Sequence, residues 1–277
     1  MKRKREPGLK IIELVEGLPM FPHDIDGLLA AALKPSKDSA KILELMEKEP
    51  EVREELLELA RSYYAADAEI GTTEEAVERF GAQSLVQLIG LLYARRAIQE
   101  EFASLRYLNE YFDHSESISI GCHILAEQSG ASRERVQLYT VSGLIHDIGR
   151  LAIMVARNRT SAHVLGTLWD KMASVVYDEQ TAVGTDHCQV GMRICRKWKF
   201  SPIVQEGVLR HHSPLVDSDF SIPGAIIFVS HFLSASDPSG DIVSSLSAGE
   251  VLDRLGLTTG DFDKSRCVYK SRTRESG

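Results

Sequence analysis

The sequence is poor in the features that mark disulfide-bonded, membrane-spanning or secreted proteins. Its 277 residues include four cysteines, and no two of them form a CxxC pair. This excludes a zinc ribbon and a disulfide framework, and it indicates a reducing compartment. No apolar run approaches the ~18 residues of a membrane span, and no apolar segment follows the basic N-terminus as a signal peptide requires. We therefore expect a cytoplasmic protein without a membrane partner.

Proline and positive charge are also scarce. The chain has nine prolines, whereas long stretches are rich in Ala, Leu, Glu, Lys and Arg, which favours helix over sheet. The net charge of −8 and the pI near 5.6 argue against nucleic acid as the main partner, because duplex binding needs a concentrated basic face. The basic residues 2–5 are the exception, and we interpret them as a solvated terminal arm.

The spacing of apolar residues predicts helices along almost the whole chain. Thr72 is expected to cap a short helix that ends at Gly81. One very apolar helix is predicted from Arg133 to Val155. The stretch 222–233 could be a strand by periodicity alone, but we predict a helix because its helical neighbours offer no sheet to join. Further helices are predicted at 85–102, 107–128, 162–172, 186–199 and 203–212.

These elements predict an all-α fold with four parts. A flexible basic head (1–15) precedes an N-terminal helical subdomain (16–105), and a larger helical bundle (106–260) leads into a polar tail (261–277). The tail beyond Asp263 is expected to be frayed. Cys188 and Cys195 lie seven residues apart on a predicted helix, so they share a face, and we interpret them as small core residues.

The pair His146–Asp147 lies in an apolar helix, where a charged pair is costly unless something compensates it. A divalent metal would compensate it. The alternative is a core histidine that is oriented by its carboxylate and satisfied by hydrogen bonds, and for an isolated pair this alternative is favoured.

The pair is accompanied by other histidines. His114 has Glu110 four residues before it, so both side chains can project from one helix face. Adjacent buried histidines such as His211–His212 are rarely chosen for packing, because each ring has two polar nitrogens that need partners. With His187 and His231, the set favours a metal site over separate core positions.

The order of these residues resembles the HD phosphohydrolase superfamily, closest to its bimetallic branch that includes the HD-GYP phosphodiesterases. Several segments narrow the resemblance to the HDOD family, the HD-related output domain. It extends over about residues 15–255 and is carried by Leu18–Pro19, Glu49–Pro50, Phe80–Gly81, Gly143–Arg150, His187–Gly191, Trp198 and His211–His212.

The resemblance implies an HD-like metal-binding bundle with two divalent ions. Iron, manganese and zinc are the metals that suit His and carboxylate ligands. Asp147 would bridge the ions. His114 and His146 would bind one ion, with Glu110 as a further candidate, and His187, His211 and His212 would bind the other. His231 stands where the superfamily has its final Asp. Arg150 stands where the hydrolytic branch has Lys. If the protein is an enzyme, Asp147 and Arg150 are the candidate catalytic residues.

Two functions follow from the resemblance. The first is a bacterial response-regulator output module that relays a signal to a receiver domain, a kinase or a cyclase. It is favoured because the Gly-Tyr-Pro motif is absent and Arg150 holds its proton too firmly for proton transfer. The second is a metal-dependent phosphohydrolase that acts on a nucleotide or phosphodiester, since a metal pocket attracts phosphate and activates water. Nucleic-acid binding is the third and least favoured reading.

Overall fold

Helices form nearly all of the regular structure in the computed structural model, which describes residues 5–32, 39–64, 71–103, 105, 108–156, 175–234 and 246–274. The all-α prediction is confirmed. The helices of the first half are α1 (Arg5–Gly17), α2 (His23–Ala32), α3 (Ser39–Lys48), α4 (Pro50–Tyr64), α5 (Thr73–Phe80) and α6 (Ala82–Glu101).

The second half adds longer helices and one short hairpin. Strand β1 (Leu215–Val216) pairs antiparallel with β2 (Asp219–Phe220). The helices of this half are α7 (Leu108–Gln128), α8 (Arg133–Ile145), α9 (Ile148–Ala156), α10 (Val175–Val183), α11 (His187–Lys197), α12 (Pro202–Arg210), α13 (Ile222–Ser234), α14 (Leu246–Arg254) and α15 (Thr259–Arg274).

Local sequence explains several helix ends. The Thr72 side chain accepts a hydrogen bond from the Glu75 backbone, and the Glu75 carboxylate accepts one from the Thr72 backbone, so that α5 begins with a capping box. Gly81 ends α5 with a φ of 77°, a conformation that favours glycine. The predicted helix at 222–233 is present as α13.

A continuous apolar core joins the two halves of the chain. It contains residues from α1 to α6 together with residues from α8, α9, α11 and α12. Trp198, which follows α11, shows how the halves meet: its indole N–H donates to the Pro19 carbonyl at 3.1 Å, and its ring stacks on Phe21 at 5.3 Å. A second core lies mainly among α7, α8, α13, α14 and α15. The division near residue 105 stays a prediction.

The structure corrects the single helix predicted from Arg133 to Val155. The chain instead forms α8 and α9, which are separated at His146 and Asp147. The stretch 133–156 is also long and apolar enough, by length and composition, to cross a membrane, whereas no such run was expected from the sequence. However, 94% of its most apolar 18-residue window is buried inside the protein. Burial among neighbouring helices accounts for its apolar character.

The described residues of the predicted head and tail lie largely in helices. The tail expected to be frayed is part of helix α15, where Phe262 and Tyr269 are buried in the second core. The head expected to be flexible contains α1, whose Ile11 and Val15 are buried in the first core. The helix predicted at 162–172 lies outside the described residues.

Candidate metal centre

Six histidines and one aspartate converge at one end of the helices of the second half. Five of them lie at element ends, and two lie within helices α7 and α13. Their potential ligand atoms form three neighbouring groups, in each of which all atoms lie within 4.8 Å of one another: His187, Cys188, His211 and His212; His114, His146 and His231; and His146, Asp147 and His211. The predicted convergence of the histidines and Asp147 is therefore present in the geometry.

Asp147 lies between two sets of imidazoles. Its Oδ1 lies 3.3 Å from His187 Nε2 and 3.5 Å from His211 Nε2. Its Oδ2 faces the other way, 3.4 Å from His146 Nε2 and 3.9 Å from His114 Nε2. Asp147 is fully buried, and within the described part of the chain neither oxygen accepts a hydrogen bond. Arg150 supplies one positive charge, with its Nε 2.9 Å from Oδ1, but an unsatisfied buried carboxylate is expensive, so the arrangement favours a further cationic partner.

The backbone orients several of these rings. His146 and His211 follow the last turns of α8 and α12, where helix carbonyls have no intrahelical partner. The Nδ1–H of His146 donates to Gly143 O at 2.8 Å, and that of His211 donates to Val208 O at 2.7 Å. A carbonyl can only accept, so each neutral ring carries its hydrogen on Nδ1 and presents the Nε2 lone pair to the site.

His231 and His187 are oriented in the same manner. The Nδ1–H of His231 donates to Ile227 O at 2.9 Å. The Nδ1–H of His187 donates to the carboxylate of Glu179 at 2.6 Å, and the backbone N–H of His187 donates to the same oxygen at 2.8 Å. A carboxylate that accepts a hydrogen bond in this way is a usual partner of a metal-binding histidine. Glu179 was missed in the sequence, because only the fold brings α10 against the start of α11.

Burial lowers the pKa of four of the histidines. It is the main cause that lowers the pKa of His211 to about 4 and the pKa of His114 well below its usual range. The pKa values of His212 and His231 are also lowered by burial, assisted by the neighbouring histidines. Burial would raise the pKa of Asp147, but the neighbouring Arg150 guanidinium outweighs it and holds that pKa well below the usual range. The site therefore contains imidazole lone pairs and the Asp147 carboxylate, with the charges of Arg150 and Glu179 beside them.

Ring nitrogens of neighbouring histidines face one another. His187 Nε2 and His211 Nε2 are 3.2 Å apart, and His114 Nε2 and His146 Nε2 are 3.4 Å apart. Ligands of tetrahedral zinc with bonds of about 2.0–2.1 Å are separated by about 3.3–3.4 Å. Both ring nitrogens of His212 are buried and lack a hydrogen-bond partner among the described residues. The donors thus fit a divalent metal better than they fit one another.

The remaining predicted residues have different surroundings. Arg150 is buried, and its Nε lies 2.9 Å from Asp147 Oδ1, an ion pair without hydrogen-bond geometry. Glu110 is exposed one turn before His114 and is not brought into the three groups of ligand atoms. Cys188, interpreted as a core residue, is buried but also contacts the site: its Sγ is 3.5 Å from His187 Nε2. Cys195 is a core residue as predicted.

A helical bundle around a buried histidine–aspartate cluster defines a protein of the HD type. The HDOD domain family matches residues 18–214, more than half of the chain, and the chain belongs to this family. His231 lies beyond the matched residues. No curated protein matches the chain significantly.

Solved structures share the fold. An HDOD domain protein of unknown function from Geobacter sulfurreducens has a TM-score of 0.70 and 18% identity, over 99% of this chain and 96% of that chain. A protein from Shewanella amazonensis SB2B, provisionally named a phosphohydrolase, has a TM-score of 0.69 and 20% identity, over 96% of each chain. A protein from Marinobacter aquaeolei VT8, provisionally named a signal transduction protein, has a TM-score of 0.64 and 18% identity, over 97% of this chain and 61% of that chain.

Proposed function

We propose that this protein is an HDOD regulatory module in which a pair of divalent ions holds the helices of the second half together, and that the module relays a signal through protein contacts. The observation that carries the proposal is the position of Asp147. Its two oxygens face separate sets of imidazole lone pairs, which is the arrangement of a carboxylate that bridges two ions.

The number of protein donors supports a regulatory role rather than a catalytic one. Three histidines lie on each side of Asp147: His187, His211 and His212 on one side, and His114, His146 and His231 on the other, while Asp147 shares a group of ligand atoms with His146 and His211. Structural zinc sites are closed by four protein ligands, whereas catalytic sites leave one position for water or substrate. A tetrahedral ion held by three histidines and one Asp147 oxygen would have no such open position.

Burial of the site supports the same reading. His146, Asp147, His187 and His211 each have a relative exposure of 0%. His114, His212 and His231 are partly exposed, so a substrate phosphate would have to approach the site past these rings, whereas its centre is closed to solvent. The donor set of imidazoles and a carboxylate suits iron, manganese or zinc, and we propose that two ions of this group are bound.

A phosphohydrolase is the second candidate function. The observation that favours it is the buried guanidinium of Arg150 beside Asp147, because arginine pairs well with a phosphate. One relative from Shewanella also has a provisional phosphohydrolase name. For the regulatory function, the name of the Marinobacter relative offers parallel support, and the partners we propose are a receiver domain, a kinase or a cyclase.

The deciding experiment is metal analysis of protein that is purified without a histidine tag, combined with thermal unfolding before and after chelation. Metal that binds only the folded state at 1,000 times its Kd contributes about 4 kcal/mol. We expect bound metal, a large loss of thermal stability on chelation, and neither in His146→Ala or Asp147→Ala. His123→Ala is the matched control, since His123 is buried outside the metal centre.

Two results would contradict the proposal. Protein without metal that melts at the same temperature with and without chelator would show that the cluster is a set of core polar groups. Metal-loaded protein that hydrolyses a phosphodiester over many turnovers, and loses this activity in Asp147→Asn, would establish the phosphohydrolase instead.

A further inference from the structure

We propose that the thiolate of Cys188 is a ligand of the ion on the His187 side of Asp147, which makes this position a mixed thiolate–imidazole site. The inference rests on the proposed metal centre and specifies its chemistry further. Cys188 is the second residue of α11 and directly follows His187, so both side chains start from the same helix end.

The distances around Cys188 fit shared coordination. Its Sγ lies 3.5 Å from His187 Nε2, and that nitrogen lies 3.2 Å from His211 Nε2. In tetrahedral zinc, bonds of about 2.0–2.1 Å to nitrogen and about 2.3 Å to sulfur separate the two atoms by about 3.5–3.6 Å. The observed sulfur–nitrogen distance is therefore the edge of such a coordination sphere.

A second observation indicates that the surroundings of Cys188 form a ligand-binding site. The ring of His212 belongs to the same group of ligand atoms and is partly buried, and both of its nitrogens are shielded from solvent without a hydrogen-bond partner among the described residues. Glu179 orients His187 from behind. Cys188 is thus one member of a four-residue donor set whose other members are three imidazoles.

A thiolate changes which metals the position prefers. Soft sulfur ligands select zinc and iron over manganese and magnesium, which prefer oxygen. Binding would release the thiol proton to solvent, as it does for cysteine ligands in general. Cys188 and the three imidazoles of this group are four donors, so a tetrahedral ion held by them would have no position open to water. We therefore expect zinc, iron or cobalt to be bound more tightly here than manganese.

Cobalt substitution tests the inference, because a cobalt–thiolate bond gives an intense near-ultraviolet charge-transfer band that imidazole and carboxylate ligands do not give. We expect this band in the wild type after Co²⁺ is added to tag-free, metal-depleted protein. Cys188→Ala should lose the band, and its Co²⁺ affinity should fall by at least about tenfold, since even changes outside the ligand shell cost 10–100-fold. Cys195→Ala is the matched control: it is a buried cysteine on the same helix, outside the cluster, and should keep the band.

The outcomes separate the two proposals. If bound cobalt gives only the weaker visible bands and no near-ultraviolet charge-transfer band, the role of Cys188 is overturned and the histidine–aspartate site stays intact. Protein that binds no cobalt or zinc would overturn both. X-ray absorption of the zinc-loaded wild type needs no variant, and a sulfur neighbour at about 2.3 Å is the expected result. A first shell of nitrogen and oxygen alone would refute the inference even if Cys188→Ala fails to fold.

Discussion

Gly149 offers a sharp test of how the helices position the metal centre. It lies in the first turn of α9, directly after the segment that contains Asp147, where α9 passes against the start of α11. A Cβ atom built on Gly149 would lie 2.0 Å from the carbonyl oxygen of His187 and 2.6 Å from the backbone nitrogen of Gly191. Both obstacles are backbone atoms, so no side chain can rotate away.

The required movement follows from these distances. A carbon and a carbonyl oxygen approach to about 3.3 Å in ordinary close contacts, so Gly149→Ala must move α9 and α11 apart by about 1.3 Å. Metal–ligand distances tolerate about 0.2 Å. His187 begins α11, and Asp147 precedes α9, so this movement separates two proposed ligands of the same ion. Overpacking of this kind costs about 1–3 kcal/mol, and we expect the upper end because backbone must shift.

Urea unfolding measures the loss of stability, and metal analysis measures the loss of metal binding. Gly149→Ala should lower the midpoint of unfolding with chelator present, and it should bind less than half of the wild-type metal. Gly27→Ala is the control, because Gly27 is also helical and no atom lies within 4 Å of a Cβ built on it. Wild-type metal content and stability in Gly149→Ala would refute the packing argument.

Three further predictions concern charge and activity. Chelated protein should lose stability as the pH falls from about 6.5 towards 4, because burial lowers the pKa of His211 to about 4 and the unfolded chain then binds a proton that the folded chain does not. This histidine contributes up to about 1.4 kcal/mol per pH unit in that window, and a stability profile that stays flat in urea titrations would contradict it. His231→Asp should tighten metal binding in isothermal titration, because it adds a negative charge to a mainly neutral donor set; an unchanged Kd would place His231 outside the ligand shell. Metal-loaded protein should not turn over cyclic-di-GMP, since the Gly-Tyr-Pro motif is absent and Arg150 retains its proton, and product formation in a chromatographic assay would count against this.

More of the candidate site than of the surrounding backbone could be predicted from the sequence. The order of His146–Asp147, His187 and His211–His212 identifies the cluster because ligand types and their sequence follow the chemistry of the site. The break between α8 and α9 was missed, because apolar residues continue on both sides of His146 and give no periodic signal for an end. In the structure the break is a turn at His146 and Asp147, after which the Arg150 backbone N–H donates to the Asp147 carbonyl.

Contacts that depend on tertiary packing were also missed. Glu179 precedes His187 by eight residues, a spacing without meaning until α10 and α11 are placed together. Cys188 was expected to be a core residue, and burial agrees with that, but the proximity of its sulfur to His187 depends on the fold. The ordered C-terminal helix α15 was hidden by its polar composition, since only a few apolar residues such as Phe262 and Tyr269 anchor it.

Helix α11 connects the candidate metal centre with the N-terminal half of the chain, and under the proposed function it would be a route for relaying the state of that centre. His187 begins the helix in the metal centre, and Trp198 follows its other end, where the indole contacts Pro19 and Phe21 of the N-terminal half. A shift of His187 on metal loss would therefore move a rigid helix against that contact, although a route of contacts needs a measured coupling before it is a pathway. In a Trp169→Phe background, Trp198 is the remaining tryptophan, and we expect chelation to change its fluorescence and the metal-free form of Asp147→Ala to reproduce the chelated spectrum. Identical Trp198 emission with and without bound metal would exclude α11 as the relay, and the signal would then have to leave the site through α7 or α13.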